Sequence, residues 1–280
     1  MRYKPFTFMG VGARSSGSFI DAVGGTHETT IGGFKYHIYS NTGTATFSMS
    51  YNPSNDYLQV LVIGGGGNGG SDPDAGGGGG AGGVVFNQFV SIPTGSYNMV
   101  VGGASGNSTF ASSSAYSILA YGRASGGGGA ADFGTGSAAP FPGQGYDGGD
   151  AGNNGGGGAG GVSEKGFNGS NNQGGDGGDG IYLPQFAILN TVSFISPTYV
   201  QFGGFPDGWY GGGGSGIGQG AYGSGGDGGG GYHGFEVPGQ FDVMDAIPNT
   251  GGGGAGGGTT FGNRSGRGAK GMIIIRYPYI

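Results

Sequence analysis

The residues that could do chemistry in this chain are few and poorly grouped. GGDGGDGIY, residues 174–182, fits the nine-residue calcium pattern of β-roll proteins. Those sites form between stacked copies, and one copy stands here, so Asp176 and Asp179 read as a row facing solvent. His27, His37 and His233 are isolated from one another, and His37 alternates within a strand as a structural residue would. Glu236, Asp242 and Asp245 share one loop and could exchange protons, but nothing nearby supplies a nucleophile. G-x-G-x-x-G matches recur as chance dictates in so much glycine, and none opens a helix. Asn107, Asn168 and Asn263 sit in N-glycosylation patterns, which carry meaning only in a secreted chain. There is no cysteine, hence no disulfide, thiol chemistry or cysteine metal site. The expectation is a protein that is not an enzyme and holds no cofactor or metal.

What the sequence does supply is aromatic surface: 18 Phe and 16 Tyr, with one Trp. Much of it lies in three long irregular segments, 131–147, 181–210 and 232–250. Within them Phe141, Tyr182, Phe205, Trp209, Tyr210, Phe235 and Phe241 are the candidate contacts. Trp209 and Tyr210 lead, because adjacent Trp and Tyr give large contact area at small entropic loss.

Composition bounds the elements that must hold these loops. Of 280 residues, 80 are Gly and 12 Pro, a composition usually associated with low complexity. Charged residues make up only 9% and aromatics 12%, which is unlike a chain that stays unfolded. The net charge is −6, and Lys and Arg are dispersed, so no basic patch for nucleic acid exists. The first residues lack the apolar core of a secretory signal, and no apolar run approaches membrane-spanning length.

Strands are legible at both ends of the chain. TATFSMSY, residues 44–51, alternates strictly, with Ala45, Phe47, Met49 and Tyr51 on one face. FKYHIYS before it and YLQVLVI after it also read as strands, with a turn at Pro53 and Asn55 between TATFSMSY and YLQVLVI. VVFNQFVSI and SYNMVV read as a hairpin closed by the turn 93–95. Residues 116–122 add a strand, and MIIIRYPYI ends the chain with another. No segment has a capped helical period. Residues 1–24 read as an attachment arm, and 25–280 as a single domain.

Glycine runs fill the intervals: 64–70, 76–83, 126–129, 148–161, 174–180, 211–216, 223–231 and 251–258. In GYDGGDAGNNGGGGAGG, residues 145–161, Asp147, Asp150 and Asn153 are spaced by three and one row is glycine throughout. Gln173, Asp176 and Asp179 form another such row, as do Ser224 and Asp227. Spacing by three fits the polyproline II helix, which has three residues per turn and no internal hydrogen bonds. Its N–H and C=O groups must find neighbours, and bare backbones approach closely enough to bond laterally. Rows facing neighbours should be glycine, and rows facing solvent may carry side chains. The stretch 145–161 should lie at the edge. The fold class expected is therefore mostly β plus polyproline II. A β-sandwich-like base, from 34–63, 84–122 and 272–280, carries a bundle of polyglycine II helices over 64–258, with little or no α-helix.

If these runs alternate in direction, the loops alternate ends. Counting from the strand 57–63 at the base puts 131–147, 181–210 and 232–250 together at the far tip. A rigid scaffold with irregular aromatic loops at one pole is a binding design.

Several segments, in order, resemble the glycine-rich domains of bacteriophage tail-fibre proteins. They are GGFKYHIYSNTGTATFSMS, LQVLVIGGGGNGG, GGGGGAGGVVFNQFVSIPTGSYNMVVGG and GAKGMIIIRYPYI, spanning about residues 24–278. The chain is also similar to the polyglycine II tip adhesins of T-even-like phages. The resemblance implies a virion protein acting as a tail-fibre adhesin. Its partners would be a host outer-membrane protein or surface glycan, with other virion proteins held through the base or residues 1–24. Homo-oligomerisation is open. The alternative is a capsid decoration protein that binds no receptor. A third reading, an ice-binding face, is disfavoured because the exposed rows carry Asp and Asn rather than small residues.

Overall fold

The computed structural model describes residues 19–53, 56–111, 116–130, 132–191, 208–232, 245–258 and 264–279. In chain order the strands are β1 (Asp21–Val23), β2 (His27–Ile31), β3 (Phe34–Tyr39), β4 (Gly43–Tyr51), β5 (Leu58–Ile63) and β6 (Val84–Val90). They continue with β7 (Gly95–Val101), β8 (Ser108–Ala111), β9 (Ser117–Ala120), β10 (Ile181–Tyr182), β11 (Trp209–Tyr210) and β12 (Met272–Pro278). A 3-10 stretch, Pro184–Thr191, is the sole helical element among the described residues. The protein is thus mostly β, in three antiparallel sheets.

The first sheet has the order β1-β4-β7-β8-β9, the second β2-β3-β12-β5-β6, and β10 pairs with β11 alone. One apolar cluster draws on both large sheets: Phe47, Met49, Tyr97, Met99 and Phe110 meet Tyr39, Val60, Val62, Ile273, Ile275 and Tyr277. Period-two alternation sends the intervening residues of the second sheet to its other face. There Ile38, Leu61, Ile63, Met272 and Ile274 form a second cluster with Leu183, Phe186 and Tyr210. Burial on both faces explains why LQVLVI and MIII are continuous apolar runs, while β4, with its alternating burial, reads as half-polar.

Three strand expectations need correction. β6 and β7 do not form a hairpin, because β6 pairs with β5 and β7 with β4, so the turn after Ile92 crosses between sheets. Residues 1–24 are not wholly an arm: Asp21–Val23 pairs with β4 and buries Ala22. Residues 1–18 and Asn55 lie outside the described residues. Strands β2 and β8 were not anticipated, since HETTI and STFA are short and largely polar.

The glycine runs are tied together by backbone hydrogen bonds that repeat every three residues. In 155–161, Gly156 and Ala159 donate to Ile217 O and Gly214 O at 2.7 and 2.9 Å. Gly157 and Gly160 donate to Gly129 O and Gly126 O, and Gly158 and Gly161 to Phe167 O and Glu164 O, all at 2.9 Å. The carbonyls of the same segment accept from Gly175 and Gly178, from Gly78 and Ala81, and from Gly149 and Tyr146. One segment therefore bonds six neighbouring stretches of chain. The approach is close: a Cβ on Gly158 would lie 1.8 Å from Asp176 O, and one on Gly157 2.0 Å from Gly149 O. That is why these rows are glycine. Ala81, Ala159 and Ala255, the alanines of the three GGGGAGG repeats, are nonetheless fully buried, so the interior admits a methyl at those places.

Registers give directions. Gly64, Gly67 and Gly70 donate to Gly83, Gly80 and Gly77, which is antiparallel, whereas Gly78 and Ala81 donate to Gly157 and Gly160, which is parallel. The stretch 145–161 proves to be two antiparallel passes. Gly152 and Gly155 bond each other, and Asn154 takes a φ of 54° in the turn between. Its second half lies inside the array, not at the edge. Residues 134–139, 166–170 and 264–271 are further passes, unrecognised because side chains interrupt their glycines. Each missed pass inverts the count of ends. The described part of 181–210, residues 245–250 and residues 140–145 therefore lie together at the strand end, whereas the described turns at the far end are short.

The expected exposed rows are present. Asp147, Asp150, Asn153, Gln173, Asp176, Ser224 and Asp227 are exposed, and Asp179 is half-buried. Their carboxylates cap outward N–H groups of the next pass: Asp147 and Asp150 accept from Ala139 and Gly136, both at 2.8 Å. Asp176 and Asp179 accept from Ser224 and Asp227 at 2.6 and 2.8 Å.

Candidate functional site

The two-residue strands β10 and β11 leave the glycine array where Gly180 N donates to Asp227 O and Gly211 N to Thr250 O. In this ribbon Tyr182 faces Trp209 and Ile181 faces Tyr210. Alternation turns Tyr210 away from its neighbour Trp209, while Ile181 opposite it stays 38% exposed. Tyr182 is 49% exposed and Trp209 half-buried, their rings 5.3 Å apart at 37°. Tyr210 points into the second cluster with no exposure, and its hydroxyl donates to Phe186 O at 2.7 Å. Burial pushes the Tyr210 hydroxyl well above the ordinary phenol range. Tyr210 is a core residue in this structure, not a surface contact.

The ribbon is fixed from below. Phe186 meets Phe86 edge-on at 5.3 Å, and Arg276 Nη1 donates to Gln185 O and to Tyr36 Oη at 2.6 and 3.0 Å. The guanidinium also lies over Phe34 and Phe186, 4.5 and 5.0 Å from their centroids, and Nε donates to Gln59 Oε1. A cation this buried is held by aromatic faces and carbonyls, with no carboxylate needed. Beside the ribbon, Ser163 Oγ donates to Gly180 O at 2.6 Å. The Asp227 carboxyl is raised from its ordinary value by partial burial and then by the charge of Asp179.

Phe141 sits apart from this pair. It stacks flat on Tyr121, centroids 3.7 Å apart, in a turn anchored by Gln144 Nε2 donating to Leu119 O. Phe205, Phe235 and Phe241 lie outside the described residues. The structure therefore brings together Tyr182 and Trp209, buries Tyr210 and keeps Phe141 on another edge. Sequence reasoning passed over exposed Tyr57 and Phe89, which meet edge-on at 5.6 Å, and Phe133, 73% exposed in a far-end turn. Tyr57 precedes β5 and Phe89 lies in β6, two strands that pair with each other.

The residues considered for chemistry have structural employment. His37 is fully buried between strands; Nδ1 lies 2.6 Å from Gly24 O and Nε2 2.9 Å from Tyr277 Oη. Nδ1 must then carry the proton, and Tyr277 donates. Burial lowers the His37 pKa, against the opposing pull of Gly24 O and Glu28. Asp245 Oδ1 accepts from Arg267 N, Asn107 Oδ1 from Gly122 N and Asn168 Oδ1 from Asp150 N. His233, Glu236, Asp242 and Asn263 lie outside the described residues. Among the described residues no three His, Asp or Glu side chains gather as metal ligands. What the ribbon offers is an exposed Tyr182 ring tilted against a half-buried Trp209, on a mount tied into the second cluster.

No curated protein sequence matches this chain. A family model described as a glycine-rich domain matches residues 40–278, from the start of β4 through β12. With strands and glycine passes alike inside that match, the chain belongs to the glycine-rich domain family.

Proposed function

We propose that this protein is a non-enzymatic bacteriophage virion component that adheres to the host surface, an outer-membrane protein or a surface glycan, through aromatic residues on a polyglycine II scaffold. The lateral bonds repeating every three residues, with six neighbours around 155–161, support the polyglycine II reading. The apolar cluster shared by both large sheets supports a sandwich-like base. The observation that carries adhesion is the Tyr182–Trp209 pair, Tyr182 exposed and Trp209 half-buried, mounted on a ribbon whose Tyr210 is locked into the core. The adhesive surface belongs to the strand end, over the second sheet. Attachment to other virion proteins is assigned to residues 1–24, of which Asp21–Val23 pairs with β4 in the first sheet.

The test replaces both residues, Tyr182→Ala with Trp209→Ala. Loss of cell adsorption at unchanged melting temperature is the expected result, and undiminished adsorption removes the pair from the site. A second reading, a capsid decoration protein without receptor binding, is favoured by the burial of Leu183, Phe186 and Tyr210, which makes this segment serve the core. Antibody labelling of particles separates the two, tail tip against head.

A further inference from the structure

The glycine array has an unfilled position. In the pass 76–83, Gly78 and Ala81 donate to 157 and 160, and Gly79 and Gly82 donate to 254 and 251. The third row is 77, 80 and 83. Gly83 donates to Tyr121 O at 2.8 Å, but Gly77 and Gly80 have no acceptor for their N–H groups among the described residues. Both line a groove of about 570 Å³, walled on one side by Gly67, Asn68 and Gly70 and on the other by 122–123 and 125–128 with 137–138 and 140–141. The walls are also unpaired. Asn68, Ser125 and Gly128 line the groove, and their carbonyls accept no hydrogen bond among the described residues.

At the strand end this position is occupied by the chain itself, since Tyr121 O accepts from Gly83 and Arg123 N donates to Gly65 O at 2.9 Å. Beyond Arg123 the chain steps sideways, helped by a φ of 47° at that residue, and the position empties. Arg123 is exposed at the mouth of the groove, its stem against Gly67, and no carboxylate pairs with it among the described residues.

We infer that this groove binds an extended glycine-rich segment of a partner polypeptide, which completes the array as one more laterally bonded pass. Its carbonyls accept from Gly77 and Gly80, and its N–H groups donate to Asn68, Ser125 and Gly128. Two unpaired donors three residues apart on one wall match a chain with three residues per turn. Existing passes approach so closely that a Cβ meets a neighbouring carbonyl at about 2 Å, as at Gly77 and Gly80, where Gly128 O and Ser125 O lie 2.2 and 2.1 Å away. The occupant must therefore be glycine on the rows that face the walls. Arg123 selects an acidic residue on its outward row. The inference rests on lateral bonding between passes and is independent of host adhesion.

The probe is the capped peptide GGDGGDG, titrated into the isotope-labelled full chain while amide exchange is followed by NMR. Saturation should slow exchange at Gly77 and Gly80 at least tenfold and leave Gly78 and Ala81, already bonded, unchanged. Capped AADAADA should do nothing. Arg123→Gln should weaken GGDGGDG several-fold but not the neutral GGSGGSG, and Ala138→Trp, at an exposed groove position, should block both. The proposal is overturned if millimolar GGDGGDG leaves Gly77 and Gly80 unaffected. It is equally overturned if AADAADA protects them as well, or if both are fully protected without peptide. Rapid exchange at Gly78 and Ala81 would instead indict the lateral bonding itself.

Discussion

His37 couples the core to pH. Its folded-state pKa lies below the ordinary 6.5, so the folded protein binds fewer protons there than the unfolded chain. The stability this provides is complete above that value and is lost as pH falls through the folded pKa. Glu28, lowered by its bonds to Gly24 and Lys35 against a desolvation that raises it, adds a loss of the same sign below 4.5. Asp227 has the opposite sign, since partial burial and then the charge of Asp179 raise its pKa, and acid relieves both. The melting temperature should fall on acidification from pH 7.5 to 5.5, and His37→Gln should flatten that step in a calorimetric series. The two faces of the ribbon make a second contrast at this scale. Tyr210→Phe removes a buried hydroxyl from Phe186 O and should destabilise by about 1–2 kcal/mol. Tyr182→Ala, at the surface, should shift stability by less than about 1 kcal/mol. Denaturant titration of the variants measures both. Arg276→Met leaves Gln185 O and Gln59 without their donor and should lower stability by about 2–4 kcal/mol.

At the scale of elements, glycine positions should divide by what a Cβ would meet. Gly158→Ala drives a methyl to within 1.8 Å of Asp176 O, where backbone on both sides must move. A loss of about 3 kcal/mol or more is expected. Gly127→Ala meets its nearest neighbour, Gly78 O, at 3.4 Å, and should change stability by less than about 1 kcal/mol. Thermal melts of the pair check this. The strands were legible because alternation in β4 and continuous apolarity in β5 and β12 report burial directly. The spacing of Asp176 and Asp179 likewise reported an exposed row. The passes 134–139, 166–170 and 264–271 were not legible. At an array edge one row faces solvent and may carry Ser, Phe, Asn or Arg, so the glycine signal fades where burial is least. The split of 145–161 was hidden for a related reason: Asn153 and Asn154 fit an exposed row and a turn equally well. The inward aim of Tyr210 depends on a pairing partner 29 positions earlier, Ile181, which no local pattern encodes.

The whole molecule has two stabilising systems. Two large sheets bury side chains around conventional apolar clusters. The glycine passes bury almost none, and hold together through backbone bonds that must offset the high conformational entropy of glycine. Such an array stands only if the lateral bonds persist in solution. The most direct test is amide exchange across 155–161, at the centre of the array, under native conditions. The account predicts that Gly157, Gly158 and Gly160 exchange at least about 10⁴-fold more slowly than in the unfolded chain, close to the slowest amides of β5 and β12. Exchange of those three within about tenfold of the unfolded rate, while β5 and β12 stay protected, would contradict it.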